Sequence, residues 1–529
     1  MSGIAKSVLY FRTAKYLRLI QVINRLIRHF RKIENSTAKK TIRTRACGGF
    51  SNFIARTHSI LGHGGFVFLN EERTLRSSTD WNNKTIAKLW LYNLHYHDGL
   101  NCPETSSDES RSLIDRWINE NPVGPGNGWE PYPLSLRIVN WTKWLLDGNE
   151  PVEGMLESLA SQTHSLRQQL EYHLLGNHLF ANAKALVFAG CFFEGSTADK
   201  WLQKGLKILR KEILEQFLDD GAHFELSTTY HATLTEDLLD VINVLQAYNQ
   251  SVPEEWTRVA VKAVAWQQAM TQLDGVPPLF NDAAYGISPS LVEVEAYASR
   301  VGLKVAKLWT ERLTNLPSSG YFRYEGDDYS FFGDAGQIGP DYIPGHAHCD
   351  MLNFALFAHG QAVIVDTGIS TYEVCDRRYH ERSTAAHNTV QVGTVEQSEM
   401  WCAFRVARRA KIIQRDVHKN SVMTAYRNYN GMYVHRRTFD FGQQQVLLTD
   451  SVECKNINLP ATARFHVHPD LDLTVEGTQV LVGPVSFEFK GAAKIQLIPY
   501  EYAPEFNKLF PATCIEVQFE RLLETIIAI

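Results

Sequence analysis

His346, His348, Asp366 and His387 are the metal- and proton-competent side chains of one stretch, Gly345 to His387, in a chain of 529 residues. That stretch reads GHAHCDMLNFALFAHGQAVIVDTG and then ISTYEVCDRRYHERSTAAH. Its apolar, β-branched run Ala362–Val365 ends in Asp366, the pattern of a buried strand with a carboxylate at its end. A His-x-His pair on extended backbone puts both imidazoles on one side, because side chains alternate along a strand. Zinc takes three or four His, Cys or carboxylate ligands, and His348, Asp366 and His387 make such a set, with Asp350 and Asn388 close by in sequence. The same residues suit a hydrogen-bonded polar network inside a β-sandwich. One imidazole of the pair can also ligate while the other moves a proton.

Two other constellations carry chemistry-competent groups. In GNHLFANAKAL (176–186), Asn177 and His178 sit in a run otherwise made of Leu, Phe and Ala, so either they serve a site or they form a structural hydrogen-bonded pair. Gly176 beside them costs helix propensity, which points to the close approach of another group. In FELSTTYH (224–231), Tyr230 and His231 fall at a loop-to-helix junction, where a side chain can face a cleft, although a lone tyrosine is more often packing.

The elements that must position these groups divide the chain. Residues 1–75 read as a basic arm with an irregular lead-in, residues 76–315 as a helical region, and residues 316–529 as short strands. Helical periodicity recurs at 153–169, 171–192, 198–217, 232–249, 254–273 and 289–314, and SLRIVNWTKWLL reads as a helix capped by Ser135. Such pairs build a bundle, a solenoid or a closed α/α toroid, and periodicity alone does not choose among them. Beyond residue 316, strands are predicted at 321–324, 329–332, 362–365, 388–392, 446–449, 464–467, 478–482, 486–489 and 514–519, as in an antiparallel sandwich. The fold class is therefore α+β and multidomain.

Composition excludes several classes. The 44% hydrophobic and 21% charged content is that of a globular chain, and a net charge of −5 argues against a general nucleic-acid binder. Eight cysteines without a CxxC pair make neither a disulfide scaffold nor a zinc-finger array. No apolar run is long enough for a transmembrane helix, and the basic start lacks the apolar core of a secretory signal. Leu17, Ile20, Val22, Ile23, Leu26 and Ile27 recur at helical spacing between Arg and Lys. Such a helix can lie on a membrane surface, giving a peripheral contact through residues 1–32, or pack on the next domain.

Taken together, GNHLFANAKAL (176–186), STTYH (227–231), PGHAHCDMLNFAL (344–356), VIVDTGISTY (363–372) and RRYHERSTAAHNTV (377–390) resemble the heparinase II/III-like polysaccharide lyases, including alginate lyases of similar two-domain build. The resemblance implies an N-terminal incomplete α/α toroid, a C-terminal antiparallel β-sandwich and a cleft between them. It implies β-elimination on a uronate-bearing polysaccharide, whether glycosaminoglycan-like, alginate-like or a bacterial surface polysaccharide. The alternative is a binding protein, weakly catalytic or non-catalytic, that assists surface-polysaccharide assembly. A hydrolase would need two flanking carboxylates, and Glu225, Asp237 and Asp282 form no obvious pair.

Elimination requires that the C6 carboxylate be neutralised, that a base take the C5 proton, and that an acid protonate the leaving O4. The resemblance gives Asn177 and His178 the carboxylate, with His178 also able to act as base. It makes Tyr230 the acid and a candidate base, and His346 a further acid/base. Tyr379 and Arg382 fall to substrate contact, and His348, Asp366 and His387 to a structural zinc, one per chain. Tyr230 then needs its pKa of about 10 lowered by cationic neighbours, or its proton shared through hydrogen bonds. A basic start without a secretory signal places the chain in the bacterial cytoplasm or at a membrane.

Overall fold

Helix Gly176–Phe192 has every residue buried except His178. A helix apolar on all faces must lie inside a packed assembly, and here its neighbours are Pro131–Leu146, Met155–Gln168, Ser196–Gln216 and Thr228–Ala247. Helices Lys88–Tyr96, Ser107–Glu120, Glu254–Ala269 and Leu291–Arg300 belong to the same N-terminal region. The computed structural model describes residues 3–34, 42–272, 275–306, 311–455 and 459–529.

The helix boundaries differ from the periodicity in three places. Residues expected to begin a helix at 171 instead form a turn, and the helix starts at Gly176, after Leu175 at φ 69°. The one expected over 289–314 stops at Arg300, two residues before Gly302 at φ 84°; a left-handed glycine is a common helix terminator. Ser135 is not a cap. Its helix begins at Pro131, and its hydroxyl donates to the Pro131 carbonyl from inside the helix.

The C-terminal region begins at Leu313 and is antiparallel in its three main sheets. A five-stranded sheet runs from Leu313 to Ile364 and a four-stranded sheet joins Val390–Val392, Ala461–His466, Lys494–Tyr502 and Phe510–Phe519. An isolated bridge from Ile364 to Val467 links the two. An eight-stranded sheet covers them, and Phe331, Phe354, Phe439, Phe465 and Phe487 from all three form one core. Strands Lys411–His418, Ser421–Arg427, Tyr433–Phe441 and Leu522–Ala528 of the large sheet were not foreseen; Tyr433–Phe441 alternates buried and half-buried with polar residues on its outer face.

The two regions are fixed to each other. Leu226, Trp266, Met270 and Phe280 pack on Leu316, Tyr321, Phe332 and Phe357. Arg323, on a sandwich strand, donates to the carbonyls of Gln268, Ala269 and Thr271, placing a cation where a helix C-terminus leaves carbonyls unpaired. The arm forms two helices, α1 (Gly3–Ala14) and α2 (Leu19–Phe30), which bind both regions: Arg18 pairs with Glu215 of the helical region and Arg12 with Glu399 of the sandwich. All eight cysteines are free thiols.

Candidate active site

Tyr230 stands in the first turn of helix Thr228–Ala247, whose N-cap Ser227 accepts the Tyr230 amide. Leu226, at φ 57°, turns the chain sharply into that helix. Across the junction, residues 341–350 form a loop rather than a strand, yet His346 and His348 converge on one carboxylate. Asp282 accepts His346 Nδ1 at 2.9 Å on one oxygen and His348 Nε2 at 2.8 Å on the other. Arg378 closes the group, giving Asp282 two further bonds of 2.5 and 2.7 Å.

The His346 ring lies over Tyr230, centroids 3.8 Å apart and 32° from parallel. The Tyr230 hydroxyl meets the Tyr372 hydroxyl at 3.2 Å. Asn177 is positioned by Glu225, whose two oxygens accept its amide at 2.9 and 3.2 Å; the nearer of them, Oε2, also lies 3.8 Å from His346 Nε2. The close neighbour that Gly176 makes room for is this same Glu225. A Cβ there would stand 2.7 Å from its Oε1. His178, the one half-buried residue of its helix, leans on Tyr132 and holds Glu171 through Nδ1 at 3.2 Å.

Charge states follow from these partners. Burial works against a cation at His178, but the Glu171 carboxylate, helped by Glu225, outweighs it and raises the pKa above the ordinary histidine value. Tyr230 goes the other way from the lowering expected of it. Burial first, then Tyr372 and Asp282, pushes its phenol well above 10, while His178 rests on Tyr132 instead. Burial opposes ionisation of Asp282 as well, but Arg378 and the two histidines hold it well below the usual carboxylate range.

Asn177, His178, Tyr230 and His346 thus share one site. Tyr379 is exposed on the short helix Asp376–Glu381. Arg382 is buried behind the site rather than presented to a substrate, donating to the carbonyls of Ala347 and Cys402. It thereby fixes the segment between His346 and His348. Sequence reasoning missed Tyr372, Arg378 and Glu171, and it weighed Glu225 and Asp282 only as a hydrolase pair. Both are occupied in holding Asn177 and His346.

Of the expected zinc ligands, His348 Nδ1 and His387 Nε2 are buried without a hydrogen-bond partner, as is Asp350 Oδ2, and the two imidazole centroids lie 5.2 Å apart. Two orphaned imidazole nitrogens facing a shared interior fit a first-row cation. Asp366 is turned to His387 Nδ1 at 2.8 Å and to Asn353, the place of a partner that orients a ligand. Among the described residues, no three His, Cys, Asp or Glu side chains are gathered about one point.

Beside Tyr230 a cleft enters the helical region, lined by Tyr96, Tyr132, Lys143, Lys184, Asp237 and Tyr372. Its cations are paired: Lys184 with Asp237, Lys143 with Asp240 at 2.7 Å, and Arg56 with Glu236.

Two family models match, Heparinase II/III N-terminus over residues 147–299 and Heparinase II/III-like, C-terminal over residues 310–526. A heparin-sulfate lyase of Bacteroides stercoris is 26% identical over 301 residues, covering 51% of this chain and 45% of its own length. One of Bacteroides thetaiotaomicron is 24% identical over 330 residues, covering 52% and 46%. The matched region therefore spans about half the length of these curated relatives. A heparinase III crystal structure superposes with a TM-score of 0.67 at 18% identity, covering 96% of this chain and 89% of that one. A chondroitinase AC lyase does so at 0.53 and 10% identity, covering 85% and 78%. The fold is thus an α/α toroid followed by an antiparallel β-sandwich, and the chain belongs to the heparinase II/III-like family.

Proposed function

We propose that this protein is a polysaccharide lyase that cleaves a uronate-bearing acidic polysaccharide by β-elimination. The observation that carries the reading is the stacked pair of Tyr230 and His346, with Asn177 and His178 beside it, at the seam of toroid and sandwich. The similarity to heparin-sulfate lyases supports the same class.

The charge states divide the work. His178, whose pKa Glu171 raises, and the Asn177 amide, aimed by Glu225, bind the C6 carboxylate and acidify C5–H. His346, anchored through Nδ1 on Asp282, takes the C5 proton at Nε2. The C5–H electron pair becomes the C4–C5 double bond, the C4–O4 bond breaks, and Tyr230 delivers its phenolic proton to O4. A phenol kept protonated by burial is suited to donate rather than to accept. Imidazolium and phenolate then stand against each other, and proton return resets the pair.

Because the cleft's cations are already paired with carboxylates, the favoured substrate is a chain carrying few sulfates. Unsulfated glycosaminoglycan, alginate and bacterial surface polysaccharide all satisfy that description. For zinc, the reading is a structural ion held by the free nitrogens of His348 and His387, with Asp366 as ligand or as the partner orienting His387. Such an ion would tie the loop bearing His346 to the sandwich.

The test is a panel of uronate polysaccharides followed by ultraviolet absorbance of the conjugated product. A rise with wild type that Tyr230→Phe abolishes supports elimination. Binding of the same glycans with no rise would instead assign a non-catalytic role.

A further inference from the structure

Helix α2 lies on the protein the wrong way round. Its polar side faces inward: Gln21 is 1% exposed and donates to the carbonyls of Leu174 and Tyr342, while Arg28 reaches His173. Its apolar side, Leu19, Ile23, Leu26, Ile27 and Phe30, recurs at helical spacing and faces solvent, with Leu19, Leu26 and Phe30 exposed by 73%, 62% and 86%. Phe11 of α1 adds a ring that is 76% exposed. An amphipathic helix gains its stability by burying the apolar stripe, so among the described residues this stripe lacks its partner.

Charge says what that partner is. Between residues 3 and 33 the arm carries eight lysines and arginines and no acidic residue, in a chain of net charge −5. Arg12, Arg18 and Arg28 are spent on the protein. Lys6, Lys15, Arg25 and Lys32 are exposed on the same arm. A second copy docked on this face by a two-fold axis would set the same cations against themselves. An exposed apolar stripe on an arm this basic is complementary to an anionic bilayer, where the stripe enters the headgroup region and the arm's cations meet lipid phosphates.

We propose that α1 and α2 form a docking surface for an anionic lipid bilayer. The contact reaches the active site through one residue. Gln21 bonds the segment just before Asn177 and the loop just before His346, so the surface that meets lipid is fixed to both halves of the cleft. This inference does not depend on the reaction proposed above.

Co-sedimentation of the full chain with phosphatidylglycerol–phosphatidylcholine vesicles, against vesicles of phosphatidylcholine alone, tests it. Wild type is expected to sediment with the anionic vesicles at low ionic strength and to release as salt rises. The triple variant Leu19→Ser, Leu26→Ser, Phe30→Ser should lose roughly tenfold or more of its partition with an unchanged melting temperature. Arg25→Glu with Lys32→Glu, which leaves the stripe intact, should lose binding too. The proposal is overturned if wild type stays in the supernatant with anionic vesicles, or if the triple variant sediments as well as wild type. A concentration-dependent dimer abolished by the triple variant would overturn it as well, assigning the face to a second copy.

Discussion

The guanidinium of Arg378 meets the carboxylate of Asp282 through two bonds, 2.5 and 2.7 Å, with neither side chain exposed to solvent. Removing one partner of such a pair strands the other charge in the interior, at a cost of about 3–5 kcal/mol. Asp282→Ala should therefore lower unfolding stability by that order in urea melts at neutral pH. The folded pKa of Asp282 is depressed, so its contribution is complete above the ordinary aspartate value and fades as pH falls through the folded one. Wild type and variant should converge in stability at strongly acidic pH; an unchanged gap there would refute the assignment.

Tyr230→Phe removes one oxygen, whose described partner is the Tyr372 hydroxyl. Turnover should drop by about 10²–10⁴-fold, the range for a lost general acid, with a circular dichroism spectrum like wild type. Tyr372→Phe leaves the acid in place and should cost far less. Equal losses in the two would shift the acid's role to the tyrosine pair.

Glu171 outweighs burial at His178, so its folded pKa lies above the ordinary histidine value. Its ion-pair stabilisation is complete below pH ~6.5 and is lost as pH rises through the raised folded value. Substrate binding should weaken over the same rise, seen as a KM that climbs with pH. In His178→Gln that climb should vanish.

Gly176 has φ 57°, and a Cβ would press on Glu225 Oε1 at 2.7 Å. Gly176→Ala should destabilise by about 1–3 kcal/mol, through strain at a left-handed position and displacement of Glu225. Activity should fall further than stability, since Glu225 aims the Asn177 amide.

For the metal, wild type should purify with about one zinc per chain, a structural site of the usual His and carboxylate kind. His348→Ala or His387→Ala should abolish it and lower the melting temperature. Metal analysis of wild type that finds none would remove zinc from the account.

Sheet and helix regions were legible because hydrophobic period is a local property. The aromatic runs at residues 321–324 and 329–332 and the apolar periodicity over 171–192 need no partner to be read. Asn177, His178, Tyr230 and His346 were singled out differently, through motifs that resemble a known family. What lay beyond the sequence were contacts between distant positions. Asp282 stands 64 residues from His346 and 96 from Arg378, and nothing local marks it as their common partner. The resemblance assigned Arg382 to substrate contact; only the packed loop shows it donating to carbonyls. The direction of the Tyr230 shift depends on burial and on which charges face the ring, which no motif records. The amphipathicity of the arm was plain from spacing, whereas which of its faces meets the protein was decided only when Gln21 found the Leu174 and Tyr342 carbonyls. Local propensity determines the elements; the charges and exposures that do chemistry are set by neighbours that only the tertiary structure brings together.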